Sequence, residues 1–275
     1  MREIAGASVR LLNAGDIPAA VQLSAEAGWN QTREDWQLLV DLAPEGCLAA
    51  EVNGELASTT TLFCYGRRLA WIGMVLTKVS YRGRGLARGL LTEALRQADR
   101  KGVETVKLDA TDQGQPLYEK LGFRSEQVVE RWSRPGPDGH PVSADAATRS
   151  REWNASDTEA FGVDRSQLLD KLAQGNSPFC VARSYLFTRP GRRAAYLGPC
   201  VASDIETART LVGRALQAAG SCGWFWDLLP NNTNAVAVAQ DLDFSPNRRL
   251  LRMVRGKNLQ GLHESIYAIS GFELG

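Results

Sequence analysis

The sequence predicts an α/β chain built on a mixed sheet and folded as two similar halves. Three observations predict it. An apolar run, Trp71 to Leu76, passes through an Arg/Gly loop into a helix whose Leu86, Leu90, Leu91, Ala94, Leu95 and Ala98 fall on one face. The elements over residues 1–135 read in the order βααβββαβαβ. A shift of 121 positions lays Leu90–Phe123 on Leu211–Phe244 without a gap, an ordered self-similarity at domain scale.

Ser8 to Leu12 reads as a first strand. Asp16 is placed to cap a helix with Pro18 in its first turn, running to about Ala27. Gly28-Trp29-Asn30 breaks it. Thr32 is the N-cap of a second helix carrying Trp36, Leu38, Leu39 and Leu42, with Pro44 beyond its end. Cys47–Val52 and Glu55–Phe63, joined by Asn53-Gly54, read as a hairpin with a type I′ turn. Leu69–Leu76 is the next strand, so three antiparallel strands precede the Arg/Gly loop. Gly102 stops the helix that follows, and Val103–Leu108 makes another strand. Gln115–Leu121 is a short helix ended by Gly122-Phe123, and Gln127–Trp132 closes the half. Residues 136–150 are rich in turn formers and read as a linker. The second half is 151–275. There the 121-residue shift sets Ser203-Asp204-Ile205-Glu206 where the first half has Arg82-Gly83-Arg84-Gly85.

The totals narrow the class. Of 275 residues, 44% are hydrophobic and 23% charged, which fits a soluble protein with a sizeable core. A formal net charge of +1 gives no general pull toward nucleic acid or membrane. MREIAGASVR has no apolar signal region, and no run approaches the ~18 apolar residues of a membrane span. A cytoplasmic monomer or homodimer is expected, with neither a membrane nor a nucleic-acid partner. The five cysteines are widely spaced without a CxxC pair, so reduced thiols and no metal are expected.

A strand feeding a Gly-containing turn and a helix start makes an anion site. The first helical N–H groups lack partners, and the helix dipole adds positive charge. Gly83 and Gly85 let the backbone approach a phosphate, and Arg82, Arg84 and Arg88 add donors. Arg82-x-x-Gly85-x-Ala87 resembles the acetyl-CoA loop of the GNAT superfamily of N-acetyltransferases, whose pattern is Gln/Arg-x-x-Gly-x-Gly/Ala. Pro116-Leu117-Tyr118-Glu119-Lys120-Leu121-Gly122-Phe123 resembles that family's second signature, an aromatic-containing helix ending in Gly-Phe. The resemblance implies tandem GNAT folds: a working first domain, 1–135, and a degenerate copy, 151–275.

The resemblance also implies roles. Val75, Leu76 and Thr77 would bond the pantetheine arm of acetyl-CoA, and Arg82, Gly83, Arg84, Gly85, Leu86, Ala87 and Arg88 its pyrophosphate. Thr111 stands where an asparagine often touches the cofactor, and Val79 where a proline is frequent. Tyr118 would give the leaving thiolate its proton; a phenol of pKa about 10 is protonated at neutral pH. The acceptor, a small-molecule amine with a protein amine as the alternative, must lose a proton. Neither histidine lies in the first domain: His140 is in the linker and His263 lies further on. Asp109 is the nearest carboxylate for the base, with a cap or turn role, or a water chain, as the alternatives. Trp29 and Asn30 fall in the helix break that walls the acceptor side in related proteins. In the second half, Asp227 shares a strand face with Phe225, opposite Trp224 and Trp226, and could meet an amine. Asp204 and Glu206 would repel a pyrophosphate, so one acetyl-CoA site per chain is expected. The expected activity is acetyl transfer to a primary amine; the alternative is a non-catalytic acyl-CoA-binding sensor or scaffold. Nucleic-acid binding through Arg82 and Arg84 lacks the aromatic interleaving it needs.

Overall fold

The structure is a computed structural model of the chain that describes residues 2–4, 6–136, 153–219 and 222–275. His140 and all of the expected linker except Gly136 lie outside the described residues. The first half runs β1 (Arg2–Ile4), β2 (Ala7–Leu11), α1 (Ile17–Glu26), α2 (Arg33–Leu42), β3 (Cys47–Val52), β4 (Glu55–Tyr65), β5 (Leu69–Thr77), α3 (Leu86–Arg100), β6 (Thr105–Ala110), α4 (Gln115–Glu119) and β7 (Arg124–Arg134). The second runs α5 (Trp153–Phe161), α6 (Ser166–Gly175), β8 (Phe179–Val181), β9 (Ser184–Arg189), β10 (Ala195–Val201), α7 (Ile205–Ala218), β11 (Trp224–Leu228), α8 (Thr233–Asp241), β12 (Ser245–Gly256) and β13 (Ile266–Ala268).

Local chemistry explains the boundaries. Thr32 and Asp35 form a reciprocal capping box at the start of α2. Asn53 and Gly54 both take positive φ, 52° and 80°, as a type I′ turn requires. Asp16 departs from expectation. Its side chain makes no cap bond to α1, because the carboxylate is taken by Arg10 at 2.7 and 2.8 Å and by the Asn13 amide. α4 and α8 end alike. Gly122 (φ 86°) and Asp243 (φ 63°) turn the chain left-handed, and the next residue, Phe123 or Phe244, bonds back to the carbonyl of Tyr118 or Ala239.

Among the described residues thirteen strands join one sheet, β1-β2-β3-β4-β5-β6-β12-β7-β11-β10-β9-β8, with β13 paired to β10. The two halves interlock: β12 of the second lies between β6 and β7 of the first, and β7 lies between β12 and β11. Two buried ion pairs tie this exchange. Arg252 on β12 grips Asp109 on β6 at 2.8 and 3.0 Å, and Arg131 on β7 grips Asp227 on β11 at 2.7 and 2.6 Å. Each arginine stands directly opposite its aspartate in the ladder. Removing one partner would strand a buried charge at a cost of about 3–5 kcal/mol. The pairs also correct the ungapped shift. Arg131 and Arg252 keep it, but the counterpart of Asp109 is Asp227, not Pro230.

Three apolar clusters cover the sheet. The one-face set of α3 packs on β2–β6 together with Tyr118 and Phe123. α7 and α8 cover β8–β11 in the same manner, over Trp224 and Trp226. A third cluster joins α1 and α2 to α5 and α6 around Trp36, Trp71 and Phe161, so the halves share one core there. All five cysteines are free thiols. Among the described residues, no helix is long and apolar enough to cross a membrane.

Candidate active site

β5 and β6 run parallel, but they pair only at Ala70–Val106 and Trp71–Lys107. Beyond that they part. The cause is a bulge in β5. Met74 has φ 47°, and the register against β4 jumps between Thr59 and Thr61. Hydroxyls on β4 hold the bulge: Thr59 donates to the Met74 carbonyl at 2.7 Å and Ser58 to that of Leu76 at 2.6 Å. From Gly73 to Thr77, β5 therefore has β4 on one side and no strand on the other. A cleft of ≈ 630 Å³ fills that side, a volume typical of ligand sites. Val75, Leu76, Thr77 and Thr111 line it.

The Arg/Gly loop closes one end. Gly83 (φ 77°) and Gly85 (φ 82°) take the left-handed conformation, and Gly85 is the N-cap of α3 with no side-chain cap. The first amides of a fifteen-residue helix are thus bare. Arg82, Gly83, Gly85, Leu86, Ala87 and Arg88 line the cleft here. Arg84 instead stands outside, its guanidinium 5.3 Å from the centre of the Tyr81 ring. Among the described residues, Arg82, Arg84 and Arg88 pair with no carboxylate, so this end is cationic. An unblocked helix N-terminus flanked by Arg82 and Arg88, neither with a carboxylate partner among the described residues, fits a pyrophosphate.

Tyr118 reaches the cleft from α4. Its ring lies against the turn before the helix, where a Cβ on Gly114 would stand 2.9 Å from Tyr118 Cε2. Thr111 shapes that turn by accepting the Gly114 amide at 3.2 Å. Among the described residues no group bonds the Tyr118 hydroxyl. Burial pushes its pKa up to about 12, so it stays protonated and free to donate.

The opposite wall comes from the second half. After β13, the segment 269–275 crosses under β5. Trp71 Nε1 donates to the Phe272 carbonyl at 2.9 Å, and the Tyr65 hydroxyl to that of Leu274 at 2.6 Å. Contact is so close that a Cβ on Gly73 would lie 2.7 Å from Glu273 Cα. Glu273 thereby enters the cleft one residue from the bulge. Its Oε2 accepts from Gln31 Nε2 at 3.1 Å, while Arg189 stays 3.9 Å from Oε1. Burial, joined by the charge of Asp35, pushes this carboxyl up to about 7 against the pull of Arg189 and Arg131. The Gln31 Oε1 is buried without a partner.

The second half repeats the opening and fills it. β10 and β11 pair in parallel only over Ala195–Leu197, and β10 then bulges before Cys200. β13 enters the gap and pairs with β10 at Cys200–Ala268 and Val201–Ile266. Trp226 Nε1 donates to the Tyr267 carbonyl at 2.7 Å, and the Ile269 amide to that of Asp227 at 3.0 Å. At the start of α7, Asp204 accepts the Thr207 amide at 2.8 Å. That bond, helped by Ser203, holds the Asp204 carboxyl below the usual range.

Known proteins share both halves. The family model described as "Acetyltransferase (GNAT) family" matches residues 18–123, and that described as "Acetyltransferase (GNAT) domain" matches 155–268. The chain belongs to the GNAT acetyltransferase family. It is 29% identical over 226 residues to an uncharacterised N-acetyltransferase, YitH, of Bacillus subtilis (strain 168), covering 75% of this chain and 76% of that one. It is 24% identical to the holothin acyltransferase of a Pseudoalteromonas species, covering 90% and 87%. A crystal structure of a candidate acetyltransferase from Pyrococcus horikoshii superposes with a TM-score of 0.82 at 23% identity, over 100% of this chain and 98% of that one. The tandem GNAT arrangement is therefore shared along the whole chain.

Within this GNAT frame three expected roles change besides that of Arg84, which stands outside the cleft. Asp109 lines the cleft, but Arg252 takes both of its oxygens, so the carboxylate serves as a tie between halves rather than a free base. Asp227 is likewise consumed by Arg131, with the Tyr196 hydroxyl added at 2.8 Å, and has no oxygen left for an amine. Asn30 turns away: its Oδ1 accepts the amides of Arg193 and Ala194, and its Nδ2 donates to the Ala194 carbonyl. It fastens the β9–β10 connection to the first half. Trp29 lines the cleft, and so does Gln31, the neighbour the sequence reading passed over. Glu273, Phe272 and Arg248 were also missed. They lie more than 120 residues from the Arg/Gly loop, and no local pattern marks them.

Proposed function

We propose that this GNAT protein transfers the acetyl group of acetyl-CoA to the primary amine of a small molecule, at one site per chain between β5 and β6. The observation that carries this reading is the contrast between the two openings: the first is open from the bare helix start to Tyr118, and the second is filled by β13. The name of the Bacillus relative, an N-acetyltransferase, supports an amine acceptor.

Acetyl-CoA supplies an acetyl thioester. The bare amides of α3, with Arg82 and Arg88, hold its pyrophosphate, and the unpaired edge of β5 from Val75 to Thr77 receives its arm. Backbone N–H groups at the bulge donate to the carbonyl oxygen as charge develops there. Glu273, with a pKa near neutrality, takes the proton of the amine. Tyr118 gives its proton to the departing sulfur. A sensor that performs no chemistry has no use for a free phenol and a near-neutral carboxyl facing one cleft.

The test is thiol release from acetyl-CoA across a panel of amines, joined to a crystal grown with the coenzyme. Transfer to an amine, with the coenzyme between β5 and β6, is expected. Coenzyme found between β10 and β11, or not bound, overturns the reading. Tyr118→Phe should lower kcat at least tenfold while acetyl-CoA affinity by calorimetry stays within about twofold. Equal rates at every pH would remove the phenol from the mechanism.

A further inference from the structure

The acceptor side of the cleft carries a cation with no partner. Arg248 on β12 stands directly opposite Arg131 on β7 in the ladder. Two like charges facing each other on neighbouring strands repel. Arg131 is neutralised by Asp227. Arg248 is not: among the described residues it makes no ion pair and no hydrogen bond. It is half-buried and lines the cleft beside Leu250 and Phe272. Burial, and then the charge of Arg131, push its pKa down, as expected of a cation short of an anion. Folding gains nothing from this placement.

On the far side of Arg131 lie the acceptors for an amine. Glu273 and Gln31 line both the cleft and a polar recess of ≈ 10 Å³ that continues it, about the space of one water. The Glu273 carboxylate is buried there with Gln31 Nε2 donating to its Oε2, and Gln31 Oε1 is buried and unpartnered. A carboxylate beside an unpartnered amide oxygen suits a group that brings N–H bonds.

We propose that the acceptor is a small primary amine bearing an acidic group, carboxylate or phosphate, with its nitrogen between Glu273 and Gln31 and its anion on Arg248. This rests on the acetyltransferase reading above and adds the class of acceptor. Arg131 faces Arg248 in the ladder and lines the recess with Glu273, so the two ends are placed for one small molecule carrying both groups. An attached anion makes an amine more basic. A preference for the acidic member of a pair thus runs against intrinsic reactivity and has to come from the site.

The experiment uses the full chain and two matched pairs, β-alanine against β-alaninamide and O-phosphoethanolamine against ethanolamine, with acetyl-CoA saturating. The acidic member of at least one pair is expected to show a kcat/KM at least tenfold above its neutral partner, and the pair that does so tells carboxylate from phosphate. Arg248→Ala should lower that ratio at least tenfold, chiefly through the KM of the amine, and Arg248→Lys should recover part of it. Neutral partners used equally well overturn the inference and leave the acetyltransferase reading intact. So does an Arg248→Ala enzyme that loses acetyl-CoA affinity instead, since the arginine then serves the coenzyme. Acetyl-CoA bound without transfer to either acidic amine overturns it too. No acetyl-CoA binding overturns both.

Discussion

The two openings in the sheet began alike and ended differently. Each lies where a parallel strand pair, β5–β6 or β10–β11, separates after a bulge in its first strand. Each is followed by a long helix packed on the sheet through the same set of positions. In the first, the gap faces solvent and the helix starts on bare amides. In the second, β13 supplies the missing strand and Asp204 supplies the missing acceptor. The lesson is that the bulge alone does not make a coenzyme site. It makes an unpaired strand edge and an unpaired helix end, both of which need partners. The chain furnishes those partners once, and leaves them to a ligand once.

The segment that fills one opening also furnishes the other. Residues 266–268 complete the second, and five residues later Glu273 enters the first. The second half thereby places a carboxyl in the cleft of the first. The interlocked strands β7 and β12, with their two arginine–aspartate ties, fix the distance between the halves closely enough for this to work.

The largest effect should come from making the first opening chemically like the second. Gly85→Glu places a carboxylate at the proposed pyrophosphate site, and acetyl-CoA affinity should fall at least a hundredfold by calorimetry. Gly85 sits at φ 82°, so any side chain also adds strain of about 1–2 kcal/mol. Gly85→Asn separates the two causes, because asparagine tolerates this conformation without charge. It should keep acetyl-CoA affinity within about tenfold. If both variants lose the coenzyme equally, strain rather than charge divides the two openings.

A smaller effect concerns the shared segment. Glu273→Gln should lower kcat at least tenfold and abolish the rise of activity with pH centred near 7, the value to which burial lifts this carboxyl. Gln31, Asp35, Arg131, Arg189 and Tyr196 face it and are unchanged in the variant. The sign for stability is the reverse. A carboxyl raised from 4.5 contributes stability that is full below pH 4.5 and lost as pH rises through about 7. The variant should therefore melt higher than the wild type above pH 7. A pH profile unchanged by the substitution would return the proton to water.

Much of the first half was legible because its signals are local. Thr32 as N-cap, Asn53-Gly54, and the apolar face from Leu86 to Ala98 each act within a few turns of chain. So does the contrast between Arg82-Gly83-Arg84-Gly85 and Ser203-Asp204-Ile205-Glu206. The strand exchange was not legible. Which strand pairs with β6 depends on partners more than 140 residues apart, as Asp109 and Arg252 are. The same distance misled the reading of Asp109 and Asp227: a carboxylate on a strand face looks available until the arginine opposite it is known. Asn30 and Gln31 differ only in which way the chain turns after α1, and composition does not say which.

The smallest expected change is the sharpest test of what fills the second opening. Asp204→Gly with Glu206→Ala removes both acids from the start of α7 and leaves β13 in its gap. If charge alone kept the coenzyme out, calorimetry should now find two acetyl-CoA per chain. The stoichiometry is expected to stay at one, because β10 already spends its free edge on Cys200–Ala268 and Val201–Ile266. Loss of the Thr207 amide's acceptor should lower the melting temperature slightly. A second bound coenzyme would show that the filled strand edge yields to a ligand, and that two acidic side chains had kept the coenzyme out of the second opening.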